Sequence, residues 1–171
     1  MIKTKRLLLR PLCMDDINTV HAYASNLDNT NYMLFLPNET IAESMEFLRF
    51  VTLEWQKELP STYEFAIVLD NIHIGTISIS LDDTRQQGEI GWILHKDYWN
   101  LGYTTEVAIA ILDFAKNHLG LQSVVAHCDH RNLASIKVME KIGMKLIDHQ
   151  GTRIYLKRNE TSKELTYRIV F

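Results

Sequence analysis

The stretch from residue 89 to residue 129 constrains this chain more than any other. EIGWILH (89–95) is a short apolar run of strand character, and a glycine follows it at position 102. Over 103–118, Val107, Ala108, Ile111, Leu112 and Ala115 recur at helical spacing, while Asp113, Lys116 and Asn117 fall elsewhere. Gly120 sits where a C-terminal capping glycine belongs, and a second strand-like run occupies 123–129. Strand, glycine turn, helix and strand in that order predict a right-handed βαβ unit. Ligands of such units collect beyond the carboxyl ends of the strands, where the helix N-terminus points. That location includes Gly102.

The remaining elements arrange themselves around this unit. Residues 3–10 read as a strand ended by Pro11, and Asp15 and Asp16 open a helix to about Asn26. A second helix fits 40–58, where Thr40 and Glu43 have the spacing of a capping box. Tyr63–Leu69, Ile72–Leu81 and Glu89–His95 read as strands, with turns at Asp70-Asn71 and at Asp82–Gly88. After 129 come a helix over 132–142 and strand segments near 144–149, 153–158 and 164–171. The order β-α-α-β-β-β-α-β-α-β-β predicts an α/β chain of the mixed α+β kind, with about seven strands and about four covering helices. No repeat, low-complexity tract or linker divides it, so residues 1–171 are expected to form a single domain.

Composition removes several functions. A net charge of −3 gives no global basic field for nucleic acid or anionic membrane. The leucines after Lys5-Arg6 are interrupted by Arg10 and Pro11, too soon for a signal peptide, and no apolar run is long enough to span a bilayer. Cys13 and Cys128 are far apart and form no disulfide framework, which points to a reducing cytoplasm.

The residues that can carry chemistry cluster in two stretches. The turn 100–105 places a glycine before a helix whose first N–H groups lack intrahelical partners, a ready seat for phosphate, with two threonine hydroxyls beside it. A purely structural turn explains the same glycine. The second stretch, HCDHRNLASIKVMEKIGM (127–144), follows a strand and opens a helix near Asn132. There Ser135 shares a face with Val138, Met139 and Ile142, a hydroxyl on an apolar stripe. A back-bonded or cap-assisting serine is the alternative. Neighbours alternate across a strand, so His127 and Asp129 face one way and Cys128 the other; the cluster His127-Cys128-Asp129-His130 cannot converge on a metal, and none is expected. Cys128 reads as a small buried thiol, not a nucleophile.

Taken together, Gly88-Glu89-Ile90-Gly91-Trp92, then Leu94-His95-Lys96-Asp97-Tyr98-Trp99-x-x-Gly102-Tyr103-x-Thr105-Glu106, then Asn132-x-Ala134-Ser135-x-Lys137-x-Met139-Glu140-Lys141-x-Gly143-Met144, resemble the GNAT (GCN5-related) N-acetyltransferases. Within that superfamily the chain most resembles the branch of Rim-type ribosomal-protein N-terminal acetyltransferases, whose opening is similar to Thr4-Lys5-Arg6-Leu7-x-Leu9-Arg10-Pro11-Leu12 here. The resemblance implies a twisted mixed, largely antiparallel sheet whose central strands splay into a V-shaped cleft for acetyl-CoA. It implies pantetheine against the backbone of Trp92, Ile93 and Leu94, and pyrophosphate on the N–H groups of Asn100, Leu101, Gly102, Tyr103 and Thr104. Asn132 and Lys137 would complete the cofactor site, and Ser135 would protonate the departing thiolate. The reaction so implied is direct transfer of acetyl to a primary amine of a peptide N-terminus or a small molecule, with no metal.

An amino group is mostly charged at neutral pH, so a base is needed; Glu89, on the acceptor side of the V, is the candidate, with a strand-edge salt bridge as its other reading. Partners expected are acetyl-CoA and an amine acceptor, a homodimer being admissible, without nucleic acid or membrane. Three positions depart from the pattern: Asn100 stands where a second glycine is usual in the branch, Thr104 where alanine is usual, and Trp99 where the wider superfamily has arginine or glutamine; Met139 stands where many superfamily members place a tyrosine as general acid. The first two add bulk near the phosphates and motivate an alternative, a regulatory module of this fold that binds CoA or another acidic ligand without transferring acetyl.

Overall fold

Thr4 hydrogen-bonds Leu7 through both its backbone N–H and its hydroxyl, and this local turn splits the first expected strand into β1 (Ile2–Lys3) and β2 (Leu8–Pro11). A computed structural model describes residues 1–171. A 3-10 turn at Met14–Asp16 precedes α1 (Ile17–Ala24), and a single extra turn, α2 (Leu27–Thr30), is capped by the Asn26 side chain on the Asn29 N–H. The helix start expected at Asp15 and Asp16 is delayed because Asp16 is buried against Arg10, both of whose terminal nitrogens bond its carboxylate at 2.6 and 2.7 Å.

The reciprocal bonds between Thr40 and Glu43 open α3 (Ile41–Trp55). β3 (Thr62–Leu69), β4 (Ile72–Leu81) and β5 (Gln87–Leu94) follow as a meander. Asp70 and Asn71 both take positive φ, 48° and 67°, as the two-residue hairpin requires. α4 (Tyr103–Asn117), β6 (Ser123–Asp129) and α5 (Leu133–Lys141) come next, then β7 (Lys145–Tyr155) and β8 (Glu160–Val170). The segments expected near 144–149 and 153–158 are one strand, kept continuous by register shifts at Leu146/Asp148 and Asp148/Gly151. There are therefore eight strands and five α-helices where about seven and about four were expected.

All strands lie in one sheet of order β1-β2-β3-β4-β5-β6-β8-β7, in which only β5 and β6 run parallel. Val107, Ala108, Ile111, Leu112 and Ala115 of α4 are buried against one face, with Ile77, Ile79 and Ile90 beneath them. Burying each branched side chain contributes roughly 2 kcal/mol before entropy is subtracted. A second cluster, including Val20, Leu48, Val51 and Ile93, holds α1 and α3 on the opposite face.

The parallel pairing of β5 and β6 covers only Gln87↔Ser123, Gly88↔Val124 and Glu89↔Val125. Beyond it β6 stays paired with β8 as far as Asp129↔Glu164, while β5 stays paired with β4 as far as Leu94. The two strands diverge and leave a V. At its closed end a Cβ on Gly88 would lie 2.7 Å from the side chains of both Ile79 and Leu121, so the apex needs glycine.

Candidate active site

The turn before α4 has the geometry of an anion cradle. Gly102 is the N-cap, with φ 78° and ψ 5°, and Asn100 is also left-handed at φ 62°. Asparagine tolerates that conformation better than other side-chain-bearing residues, so Asn100 fills the place of the usual glycine without distorting the turn. Glu106 supplies the first N–H of the helix to find a carbonyl, that of Gly102 at 3.1 Å. The N–H groups just before it have no intrahelical acceptor.

The N-terminal segment clamps this turn from a hundred residues away. Glu106 accepts the Thr4 hydroxyl at 2.7 Å, the Arg6 N–H at 2.8 Å and Arg6 Nε at 2.7 Å. Arg6 also donates from Nη1 to the Leu101 carbonyl at 3.0 Å, and its guanidinium lies 4.4 Å over the Tyr103 ring. Burial works against ionisation of Glu106, but the bonds from Thr4 and Arg6 outweigh it and hold the carboxyl below its ordinary range.

The arms of the V carry the rest. Asn132 is the N-cap of α5, and its Oδ1 accepts the Ser135 N–H at 3.1 Å. The Ser135 hydroxyl, half-buried, makes no hydrogen bond to the protein, so it is neither back-bonded nor a cap. On the other arm, the Leu94 carbonyl accepts Asn29 Nδ2 at 2.6 Å and Trp99 Nε1 at 2.7 Å. Both its lone pairs are used, which leaves Trp92 and Ile93 as the open edge of β5 nearest the cavity.

Two cavities meet between the arms. The larger, about 980 Å³, is walled by Trp92, Ile93, Leu94, Asn100, Gly102, Tyr103, Thr104, Asn132, Ser135 and Lys137. Of the residues expected to bind cofactor, Leu101 alone contributes no wall; its side chain is exposed. The smaller cavity, about 450 Å³, holds Glu89 together with His127, Cys128, Arg153, Glu164 and the loop residues Tyr32 to Phe35. Trp92, Asn132 and Ser135 belong to both, with Tyr32 and Met33. Glu89 is exposed and makes no ion pair, so its salt-bridge reading does not apply here. Burial, the largest influence, pushes the Cys128 thiol up to about 11.

Sequence reasoning missed Lys96, Tyr98 and Lys141. Lys141 was within reach, because it lies four residues after Lys137 on one helix face. The loop at 26–40, whose Tyr32, Phe35 and Leu36 read from the sequence as an apolar rim for an acceptor, walls the larger cavity through residues 27–33 and the smaller one through Tyr32 to Phe35, with Arg153 Nη2 donating to the Tyr32 carbonyl at 3.1 Å.

Residues 6–145 match the family model described as an acetyltransferase (GNAT) domain. The chain belongs to the GNAT acetyltransferase family. The uncharacterized N-acetyltransferase YnaD of Bacillus subtilis (strain 168) is 32% identical over 146 residues, covering 84% of this chain and 82% of that relative. A crystal structure of a GNAT-family acetyltransferase from Bacillus anthracis is 30% identical, covers 99% of this chain and 97% of that one, and superposes with a TM-score of 0.85. RimL, a ribosomal-protein acetyltransferase solved in complex with coenzyme A, shares the fold at 17% identity and a TM-score of 0.84, covering 98% of this chain and 96% of that one. As a GNAT family member the protein is an acyltransferase of the acetyl-CoA-using kind. No helix is long and apolar enough to cross a membrane.

Proposed function

We propose that residues 1–171 act as one catalytic unit, an N-acetyltransferase that moves acetyl from acetyl-CoA directly to a primary amine of a peptide N-terminus or small molecule. The observation that carries this reading is the meeting of the two cavities at Trp92, Asn132 and Ser135: one has an anion cradle at its far end, the other a free carboxylate. A donor entering from one side and an acceptor from the other would come together at a serine hydroxyl with no other partner.

In this reading the cofactor's pyrophosphate rests on the N–H groups of Asn100, Leu101, Gly102, Tyr103 and Thr104, assisted by Lys137 and Lys141. The pantetheine arm follows the free edge of β5 at Trp92 and Ile93, toward Leu94, and Asn132 keeps its amide nitrogen to donate to it. RimL's bound coenzyme A on the same fold supports this seat. An N–H on that edge polarises the thioester carbonyl, as donors aimed at a developing oxyanion do. Glu89 draws in the acceptor as its ammonium form and holds it while the amine gives up its proton, directly or through a bridging water. The neutral amine then attacks the carbonyl carbon, the C–S bond breaks, and the Ser135 hydroxyl gives its proton to the thiolate. It regains one, through water, from the acylated nitrogen, which sheds its second proton as the amide forms. Two free cysteines fit a reducing, cytoplasmic setting.

Thiol release from acetyl-CoA, assayed against a panel of amines and peptide N-termini, tests the reading. Turnover with at least one primary amine is expected. Tight acetyl-CoA binding with no turnover on any of them would make the protein a binding module instead.

A further inference from the structure

The smaller cavity contains a titratable group that the reaction as drawn leaves idle. His127 lies on β6 opposite Thr166 of β8, and its side chain is 30% exposed, toward the cavity it helps to wall. Its Nδ1 is 3.1 Å from the Thr166 hydroxyl and 3.7 Å from Glu164 Oε1. Glu164 is itself fixed, because its other oxygen accepts Arg153 Nη1 at 2.7 Å. A carboxylate on the Nδ1 side favours the tautomer with its proton there, as in other histidines whose second nitrogen does chemistry. The lone pair is then left on Nε2, which has no partner in the protein.

The neighbours of this imidazole are few enough to name. Glu164 and Thr166 reach it from β8, with Arg153 of β7 behind Glu164. Across the V, Glu89 of β5 walls the same cavity. Cys128 shares the cavity, but its raised thiol neither donates charge nor titrates near neutrality.

We propose that His127 is the terminal acceptor of the proton that leaves the amine, with Glu164 and Thr166 as its positioning residues and Glu89 as the counter-charge that holds the incoming ammonium. This rests on the acetyl-transfer reading. The balance is simple: the ammonium N–H bond breaks, the proton goes to His127 Nε2, and the nitrogen pair so freed forms the bond to the acetyl carbon. The imidazolium then releases its proton to water through the open end of the cavity. A base of this kind must be neutral to work, so activity through it falls in acid.

The test is the pH–rate profile of kcat/KM for H127A, H127Q, E89Q and T166V, using an amine that the wild type acetylates. H127A and H127Q are expected to lose roughly 30-fold or more near neutral pH, to lose the acidic limb, and to recover toward wild type in alkali where the amine is already neutral. Added imidazole should restore part of the H127A rate. E89Q should act mainly on KM, and T166V should lower kcat a few-fold with the profile displaced. Acetyl-CoA should still raise the melting temperature of each variant, which shows that the cofactor site is intact. A wild-type-like profile in H127A, or loss of the limb in E89Q alone, overturns the inference and leaves acetyl transfer standing. A wild type inactive on every amine overturns both.

Discussion

Removing the carboxylate of Glu106 should loosen the turn before α4 and the N-terminus together. Three bonds end on this one group, from the Thr4 hydroxyl, the Arg6 N–H and Arg6 Nε. A hydrogen bond to a charged acceptor contributes about 1.5–3 kcal/mol when sheltered. Arg6 is 41% exposed, so its ion pair counts for little, and water can replace part of the rest. The expected cost of E106A is therefore about 2 kcal/mol, and of E106Q, which keeps an acceptor, about 1 kcal/mol. For a chain of this size that corresponds to melting-temperature losses of roughly 4–8 °C and 2–4 °C.

The acid response gives a sharper signature. The folded carboxyl of Glu106 titrates below its ordinary 4.5, so its stabilisation is complete above that pH and disappears as the pH falls through the folded-state value. E106Q should lack that component, and its stability should fall less than the wild type's between neutral pH and pH 4. Acetyl-CoA affinity should drop by roughly three- to tenfold in E106A, because the turn must then be ordered on binding. Calorimetric unfolding at several pH values, with a titration of acetyl-CoA, measures both. Equal stability and affinity in E106A and wild type would refute the idea that the N-terminal clamp shapes the turn proposed to seat the pyrophosphate.

Other consequences are as specific. S135A should lower kcat by roughly 10- to 100-fold while acetyl-CoA binds within about twofold of wild type, measured by thiol release and calorimetry; an unchanged kcat removes Ser135 from the chemistry. G102A meets no clash, the nearest atom to its Cβ being Arg6 Nη2 at 3.6 Å, so its cost of about 1 kcal/mol should come from the φ of 78° alone and appear in thermal unfolding. Burial pushes the Glu64 carboxyl up to about 7, against the Thr76 and Ser78 hydroxyls that favour its charge. Wild-type stability should thus decline as the pH rises from about 4.5 to about 7, and E64Q should remove that decline in urea unfolding curves. Cys128, with its thiol raised to about 11, should resist iodoacetamide at neutral pH in the folded protein and react once it is unfolded.

What the sequence made legible was what depends on neighbours along the chain. The Asp70-Asn71 hairpin, the Thr40–Glu43 box and the apolar stripe of α4 are set by spacings of one to four residues, and all three stand in the structure. The α4 stripe between two strand-like runs gave the βαβ crossover and the turn at Gly102, whereas the V was implied only by the resemblance to the GNAT family. What escaped is set by distant residues. No local pattern joins Thr4 and Arg6 to Glu106, or predicts that Arg10 draws Asp16 away from a helix start. The one-turn α2 is too short for periodicity to register, and the bulges that keep β7 whole leave its alternation broken. His127 was noticed only as one of four possible metal ligands. Its partners Thr166 and Glu164 become neighbours through strand pairing alone.

A structure of the protein with acetyl-CoA bound tests the central claim most directly. The account predicts pyrophosphate oxygens within hydrogen-bonding distance of the N–H groups of residues 100–104, pantetheine along the open edge of β5 at Trp92 and Ile93, and the thioester sulfur beside the Ser135 hydroxyl. A pyrophosphate seated away from the Gly102 turn, or a sulfur out of reach of Ser135, would contradict it.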